Sequence, residues 1–159
     1  MKKLKLFILF LCSITYAQEG ITVSFSQDLK LATVGDKERG YYPFTTNITT
    51  KLLFQDEFGL SAGITYEYSD LKKSYNRVFM YFGQGFNVFN MNLLITGGYG
   101  MIIREGLSTI SYDFDAILNI PLANRFYLNL NTQLLRRSDL EKPDFRISGF
   151  IGFAYNILK

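Results

Sequence analysis

The sequence predicts an all-β chain: an eight-stranded antiparallel up-and-down transmembrane β-barrel preceded by a cleavable signal peptide. Three observations predict it. A short apolar leader follows a positive flank. From Ile21 onward, roughly eight segments alternate apolar with polar residues. The connections between them are by turns long and short.

The leader is read first. Lys2, Lys3 and Lys5 form a positive flank, and Leu4 with Leu6 to Leu11 supplies an apolar stretch too short to span a bilayer. Thr15-Tyr16-Ala17 approximates a small-residue cleavage pattern, which gives residues 1–17 as signal peptide and 18–159 as the barrel domain. Cys12, the only cysteine, falls in the leader behind Leu11, a poor context for lipidation. Of 17 Lys and Arg, the leader holds three, which leaves 14 against 14 Asp and Glu. A neutral mature chain carries no electrostatic signature of nucleic-acid binding. No apolar run reaches 18 residues, so no transmembrane helix is expected.

Successive strand side chains point to opposite faces, so alternation marks a strand with one greasy and one wet side. The first strand is expected over about 20–32, with Ile21, Val23, Phe25, Leu29 and Leu31 on one parity. A long polar connection leads to the second, about 42–54, with Tyr42, Phe44, Ile48, Leu52 and Phe54 aligned. The third, about 58–68, aligns Phe58, Leu60, Ile64, Tyr66 and Tyr68. After the polar stretch 69–76, the fourth (77–88) carries Val78, Met80, Phe82 and Phe86, and the fifth (91–103) Leu93, Ile95, Tyr99 and Met101. The turn between them at Phe89-Asn90 is poorly signalled. The sixth (108–120) sets Ile110, Tyr112, Phe114 and Leu118 against Thr109, Ser111, Asp113, Asp115 and Asn119. The seventh (125–136) alternates Phe126, Leu128 and Leu130 with Asn129, Asn131 and Gln133. The eighth carries Phe145, Ile147, Ile151, Phe153, Tyr155 and Ile157. An even strand number puts both termini on one side, with the long connections on the other.

Three features assign the greasy face to lipid. Strands of 10 to 13 residues tilted by about 40° cover an apolar band of about 25 Å. Aromatics collect at both strand ends: Tyr42, Phe44, Tyr66, Tyr68, Tyr112 and Phe145 at one, and Phe54, Phe58, Phe86, Phe126, Phe153 and Tyr155 at the other. Such rings are the interfacial girdles of a membrane barrel. The opposite parity holds Asp28, Lys30, Lys51, Glu67, Arg77, Arg104, Asp113, Asp115 and Arg146. Enclosed in a lumen, these charges must pair, because an uncompensated buried charge is costly. The hairpins predict Glu67 with Arg77, Arg104 with Asp113, and, on closure, Arg146 with Asp28.

Residues 20–159 resemble the small eight-stranded outer-membrane β-barrels of Gram-negative bacteria. Gly152-Phe153-Ala154-Tyr155-Asn156-Ile157 resembles their C-terminal assembly signal, although the chain ends Leu158-Lys159 rather than on an aromatic. The resemblance implies an outer-membrane location and insertion by the barrel assembly machinery.

The chain has no histidine, and no cysteine after the leader. That removes the usual proton shuttle and the best nucleophile, so no enzymatic activity and no cofactor are expected. Asp113 and Asp115 share one face, but a salt-bridge network explains them better than a cation site. Arg136, Arg137, Asp139, Glu141 and Lys142 crowd the last long connection, with Lys72 and Lys73 in another. They make a mixed-charge rim able to contact lipopolysaccharide phosphates or an external partner. The leading expectation is a monomeric, plugged, non-catalytic barrel with a structural or surface-interaction role. Two other readings stand beside it. A small pore or carrier would use crevices left by inward Gly59, Gly63, Gly83, Gly85, Gly98, Gly100 and Gly152. A periplasmic lipocalin-like barrel would turn Phe25, Phe82, Leu130 and Ile151 inward and Asp113 outward.

Overall fold

A computed structural model describes residues 20–36, 41–70, 74–140 and 144–158, and these form nine elements. The expected signal peptide and the loop residues Lys72, Lys73, Glu141 and Lys142 lie outside these. The strands are β1 (Gly20–Asp28), β2 (Asn47–Gln55), β3 (Leu60–Ser69), β4 (Tyr75–Val88), β5 (Met91–Arg104), β6 (Leu107–Pro121), β7 (Phe126–Arg137) and β8 (Asp144–Leu158). One short helix, α1 (Leu29–Thr33), follows β1. Each strand pairs antiparallel with the next, and β8 pairs back onto β1, with Val23 opposite Tyr155 and Ser26 opposite Gly152. The ring closes without a free sheet edge along most of its height.

The alternation turns its apolar parity outward. Phe25, Ile64, Met80, Phe82, Ile95, Tyr99, Phe114, Ile151 and Phe153 are all exposed. Ser26, Thr49, Thr65, Thr96, Ser111, Asn129 and Gln133, on the other parity, are buried. Asp113 is only 2% exposed. The lipocalin-like orientation is thereby corrected: its predicted inward residues Phe25, Phe82 and Ile151 face out, and Asp113 faces in.

Three strand boundaries differ from the sequence expectation, each for a local reason. β1 stops at Asp28, whose Oδ1 accepts a hydrogen bond from the Leu31 amide at 3.0 Å and caps α1. The helix turns Leu31 into the barrel mouth and carries Lys30 out of it, where Lys30 pairs with Asp36 at 2.9 Å. β2 begins at Asn47, so Tyr42 and Phe44 lie in the preceding loop, and Phe44 sits at φ +68°. β3 begins at Leu60, which leaves Phe58 in the turn. The Phe89-Asn90 connection is a two-residue turn with both residues at positive φ, 49° and 63°. That backbone matches the twist of a tight hairpin, although neither residue is the usual glycine.

The lumen is not wholly polar. Leu31, Tyr75, Phe79, Ile102 and Leu135 cluster near the mouth, and Leu53, Tyr81, Leu94 and Ile117 below them. Two inward glycines, Gly63 and Gly100, make room for these large side chains, whereas Gly59 and Gly85 line an open cup at the far end. A Cβ on Gly63 would collide with the Leu52 carbonyl and come within 2.6 Å of the Tyr81 ring. One on Gly100 would stand 2.9 Å from the Phe79 ring. An aromatic laid over a strand glycine fills the lumen and lets the wall bend.

Gly63→Val should therefore destabilise the barrel by about 1–3 kcal/mol, as expected of overpacking. Gly149, where an added Cβ meets nothing within 4 Å, should accept alanine with little change. Urea-unfolding midpoints in lipid vesicles measure both.

Candidate functional site: the charged lumen and its external mouth

The fold brings side chains from all eight strands into one polar network. Arg77 of β4 is fully buried at its centre. Its Nε lies 3.0 Å from Glu67 Oε2, and its Nη1 donates to Asp113 Oδ2 at 2.7 Å. Its guanidinium stacks 4.5 Å from the Phe79 ring. Glu67 stands directly opposite Arg77 in the β3–β4 ladder, so pairing follows from register. Below, Lys51 of β2 pairs with Asp115 and lies 5.8 Å from the Tyr81 ring. Asp113 and Asp115, which share a face, thus each hold a different cation.

The network continues upward through Tyr75. Its hydroxyl donates to Glu67 Oε1 at 2.5 Å and accepts from Arg146 Nη1 at 3.2 Å. Arg146 Nη2 reaches Asp28 Oδ2 at 2.7 Å, which joins β8 to β1. At the rim, Arg137 makes a two-pronged contact with Asp139, 2.8 and 2.7 Å, and stacks 4.4 Å from the Tyr75 ring. Arg104 Nη1 reaches the same carboxylate at 3.2 Å.

The expected Arg104–Asp113 pair is corrected by register. Arg104 ends β5 opposite Leu107, whereas Asp113 faces Gly98, six residues lower. At about 3.3 Å per residue they are ~20 Å apart along the strands. Arg104 therefore turns to Asp139, and Asp113 to Arg77. Lys30 is the one predicted lumen charge that lies outside the network.

Sequence reasoning missed Tyr75, Phe79, Tyr81, Arg137 and Asp139 as members. Tyr75, Phe79 and Tyr81 share the parity of Arg77, a signal that was readable. Asp139 lies in a loop, where no periodicity points to it. Its burial opposes ionisation, but hydrogen bonding to Arg137 and attraction by Arg137 and Arg104 outweigh that and hold its carboxyl below the usual range.

The girdle residues separate into two groups. Phe54, Tyr66, Tyr68, Phe86, Tyr112, Phe126, Phe145, Phe153 and Tyr155 lie on strands with outward parity, while Tyr42, Phe44 and Phe58 lie in connections. Tyr112 and Phe145 meet at 6.1 Å near the mouth, and Phe126 and Tyr155 at 4.8 Å near the opposite end. Ten residues of β7 separate Phe126 from Arg136, which is opposite Phe145. At ~3.3 Å per residue and ~40° of tilt this rises about 25 Å, the height of a membrane-spanning apolar band.

Above and below the charged layer the lumen opens into two cups. The external one, about 640 Å³, is lined by Leu31, Arg104, Arg137 and Arg146 among others. The opposite one, about 250 Å³, is lined by Gln55, Asn87, Asn92 and Asn156 with Asp56 and Glu57 at its rim. Between them Tyr75, Arg77, Phe79, Tyr81, Leu94 and Gln133 are each less than 2% exposed. Arg77, Glu67 and their neighbours therefore form a septum rather than a channel wall.

The outer shape has counterparts among solved structures. A de novo designed transmembrane β-barrel aligns over 88% of this chain and 97% of the design, at TM-score 0.64 and 12% identity. The Yersinia pestis outer membrane protein Ail, solved in a phospholipid bilayer nanodisc, aligns over 89% of this chain and 99% of its own length, at TM-score 0.54 and 11% identity. The chain has the fold of a transmembrane β-barrel. No protein-family model matches it, and no curated protein does. At such identities the likeness concerns the path of the backbone, and the lumen side chains belong to this sequence.

Two predictions follow from the network. Arg77→Met would leave Glu67 and Asp113 without their shared cation and should cost about 3–5 kcal/mol. Neutralising both acids in the same chain should restore much of that loss, again read from unfolding in vesicles. For Asp139, a folded-state pKa below the unfolded value means its contribution is complete above ~3.9 and is lost as pH falls through the folded value. Protection of the amides of 138–140, taken relative to their intrinsic exchange rates, should therefore fall on acidification below ~pH 4, a response that Asp139→Asn abolishes.

Proposed function

We propose that this chain is a non-enzymatic barrel of the Gram-negative outer membrane, with a plugged lumen and a structural or surface-interaction role carried by its external loops. One observation bears most of the weight: an apolar exterior band, bounded by aromatic pairs about 25 Å apart, encloses a paired-charge interior. Lipid is the solvent that this inverted distribution suits. The outer-membrane location of Ail, which shares the fold, supports the same compartment.

In this reading residues 1–17 direct export and are removed, the barrel assembly machinery inserts the remainder, and the barrel works as a monomer. The short turns after β2, β4 and β6 face the periplasm. The long connections after β1 and β7 face outward. The mixed charges of these connections, with Arg136 at the end of β7 beside them, suit contact with lipopolysaccharide phosphates or with an external partner. The septum favours a plug over the pore or carrier reading, because its glycines are filled by Tyr81 and Phe79.

Cell fractionation combined with gel migration before and after boiling tests the location. The reading requires outer-membrane recovery and a heat-dependent shift, and recovery in the periplasmic fraction would contradict it. Planar-bilayer recording tests the plug. The wild type should show no reproducible conductance, and steady steps of hundreds of picosiemens would refute a closed septum.

A further inference from the structure

The ring of backbone hydrogen bonds is incomplete at one place. β1 leaves β8 at the Asp28–Phe150 pair because α1 begins there. β8 continues to Asp144, so Asp144–Gly149 have β7 on one side and, among the described residues, no ladder partner on the other. The external half of the β7–β8 hairpin is also loose toward β6, whose ladder with β7 starts only at Asp113–Leu135. There side chains bridge the gap: Ser111 Oγ donates to the Arg136 carbonyl, and Ser138 Oγ to that of Ile110 at 2.7 Å.

The external cup lies at the β1–β8 seam. Leu31, Tyr41, Leu140, Phe145, Ile147 and Gly149 give it an apolar side that reaches the outer face. Lys30, Arg104, Arg137 and Arg146 give it a cationic side, with Asp28, Asp36 and Asp144 as its acids. The acids have partners. Asp28 accepts from Leu31, Asn47 and Arg146, Asp36 from Lys30, and Asp144 from the Phe145 amide. Arginine carries five N–H donors and no acceptor. Arg146 uses its two terminal nitrogens on Tyr75 and Asp28, and Arg137 its Nε and Nη2 on Asp139. Among the described residues, Arg146 and Arg137 thus keep N–H donors beyond those that their carboxylate and tyrosine partners take, and such donors suit an oxyanion.

We propose that the seam is a lateral binding site for an amphiphile with an anionic head. The head, a phosphate or carboxylate, sits against Arg146 and Arg137. Its alkyl chain lies along Phe145, Ile147 and Gly149, beside the stretch of β8 that has no ladder partner among the described residues. A volume of about 640 Å³ falls within the range of small-molecule sites. This site is independent of the role proposed for the loops.

The mature chain lacks cysteine, so Gly149→Cys can carry an environment-sensitive dye, with Ile64→Cys, exposed on β3 away from the seam, as control. Both are placed in phosphatidylcholine nanodiscs and titrated with dodecyl phosphate, dodecanoate, dodecanol and inorganic phosphate. The proposal requires a saturable response at 149, but not at 64, to the two anionic amphiphiles alone. Asp28→Asn with Arg146→Gln keeps the helix cap and removes both charges, and should weaken binding by at least about tenfold. Lys30→Gln, at an exposed position, should weaken it more mildly and decides the matter if the double variant does not insert. Phosphatidylglycerol built into the disc separates the sources. A response to it gives the bilayer as supplier, and a response to added dodecanoate alone gives the aqueous side. Equal responses at 149 and 64, an equal response to dodecanol, or affinity unchanged in the variants that insert would overturn the proposal.

Discussion

Hydrocarbon offers the backbone no hydrogen-bond partner, and the rest of this structure follows from that constraint. A strand in lipid must give both its edges to neighbours, so the sheet has to close. Closure with eight strands makes a lumen only wide enough for side chains. Every inward residue then competes for a small, nearly dry volume. The outward residues have the easier task of being apolar.

The lumen meets that demand in two ways. Where it carries charge, it pairs it: Arg77 with Glu67 and Asp113, Lys51 with Asp115, Arg146 with Asp28. Where it carries large apolar groups, glycines on the facing strand make room, as Gly63 does for Tyr81. Two of these pairs join strands that are not neighbours in the ring, Arg77–Asp113 from β4 to β6 and Lys51–Asp115 from β2 to β6. They therefore fix the cross-section of the barrel as well as satisfying charge. A hydrophobic plug could be equally stable, since desolvating ions is expensive. What an ionic plug adds is directionality, because each guanidinium accepts only a few positions of its partner.

The barrel itself was legible because its signal is a period of two repeated eight times, and repetition suppresses local error. The Glu67–Arg77 and Asp28–Arg146 partners could be named from hairpin register and closure alone. What escaped was set by single hydrogen bonds or by long-range geometry. Alternation runs through Leu31, and only the capping of Leu31 by Asp28 ends β1 early and displaces Lys30. Arg104 and Asp113 are near in sequence, yet the tight Glu105-Gly106 turn separates them along the ladder. Asp139 gathers two arginines from a loop that no periodic pattern describes. Tyr75 escaped because residues 69–76 read as a polar connection, whereas β4 begins at Tyr75. Phe79 and Tyr81 fell on the parity of Arg77, but as uncharged aromatics they gave no sign of joining a charge network.

The decisive measurement is the accessibility of nitroxide spin labels at Leu130 and Asn131, adjacent residues of β7 on opposite parities. With the mature chain folded in a bilayer, the account predicts strong collisional broadening by molecular oxygen at position 130. At 131 it predicts shielding from both oxygen and a water-borne nickel chelate. Shielding at 130 with free access at 131 would mean that the oily stripe faces inward, and would contradict the account.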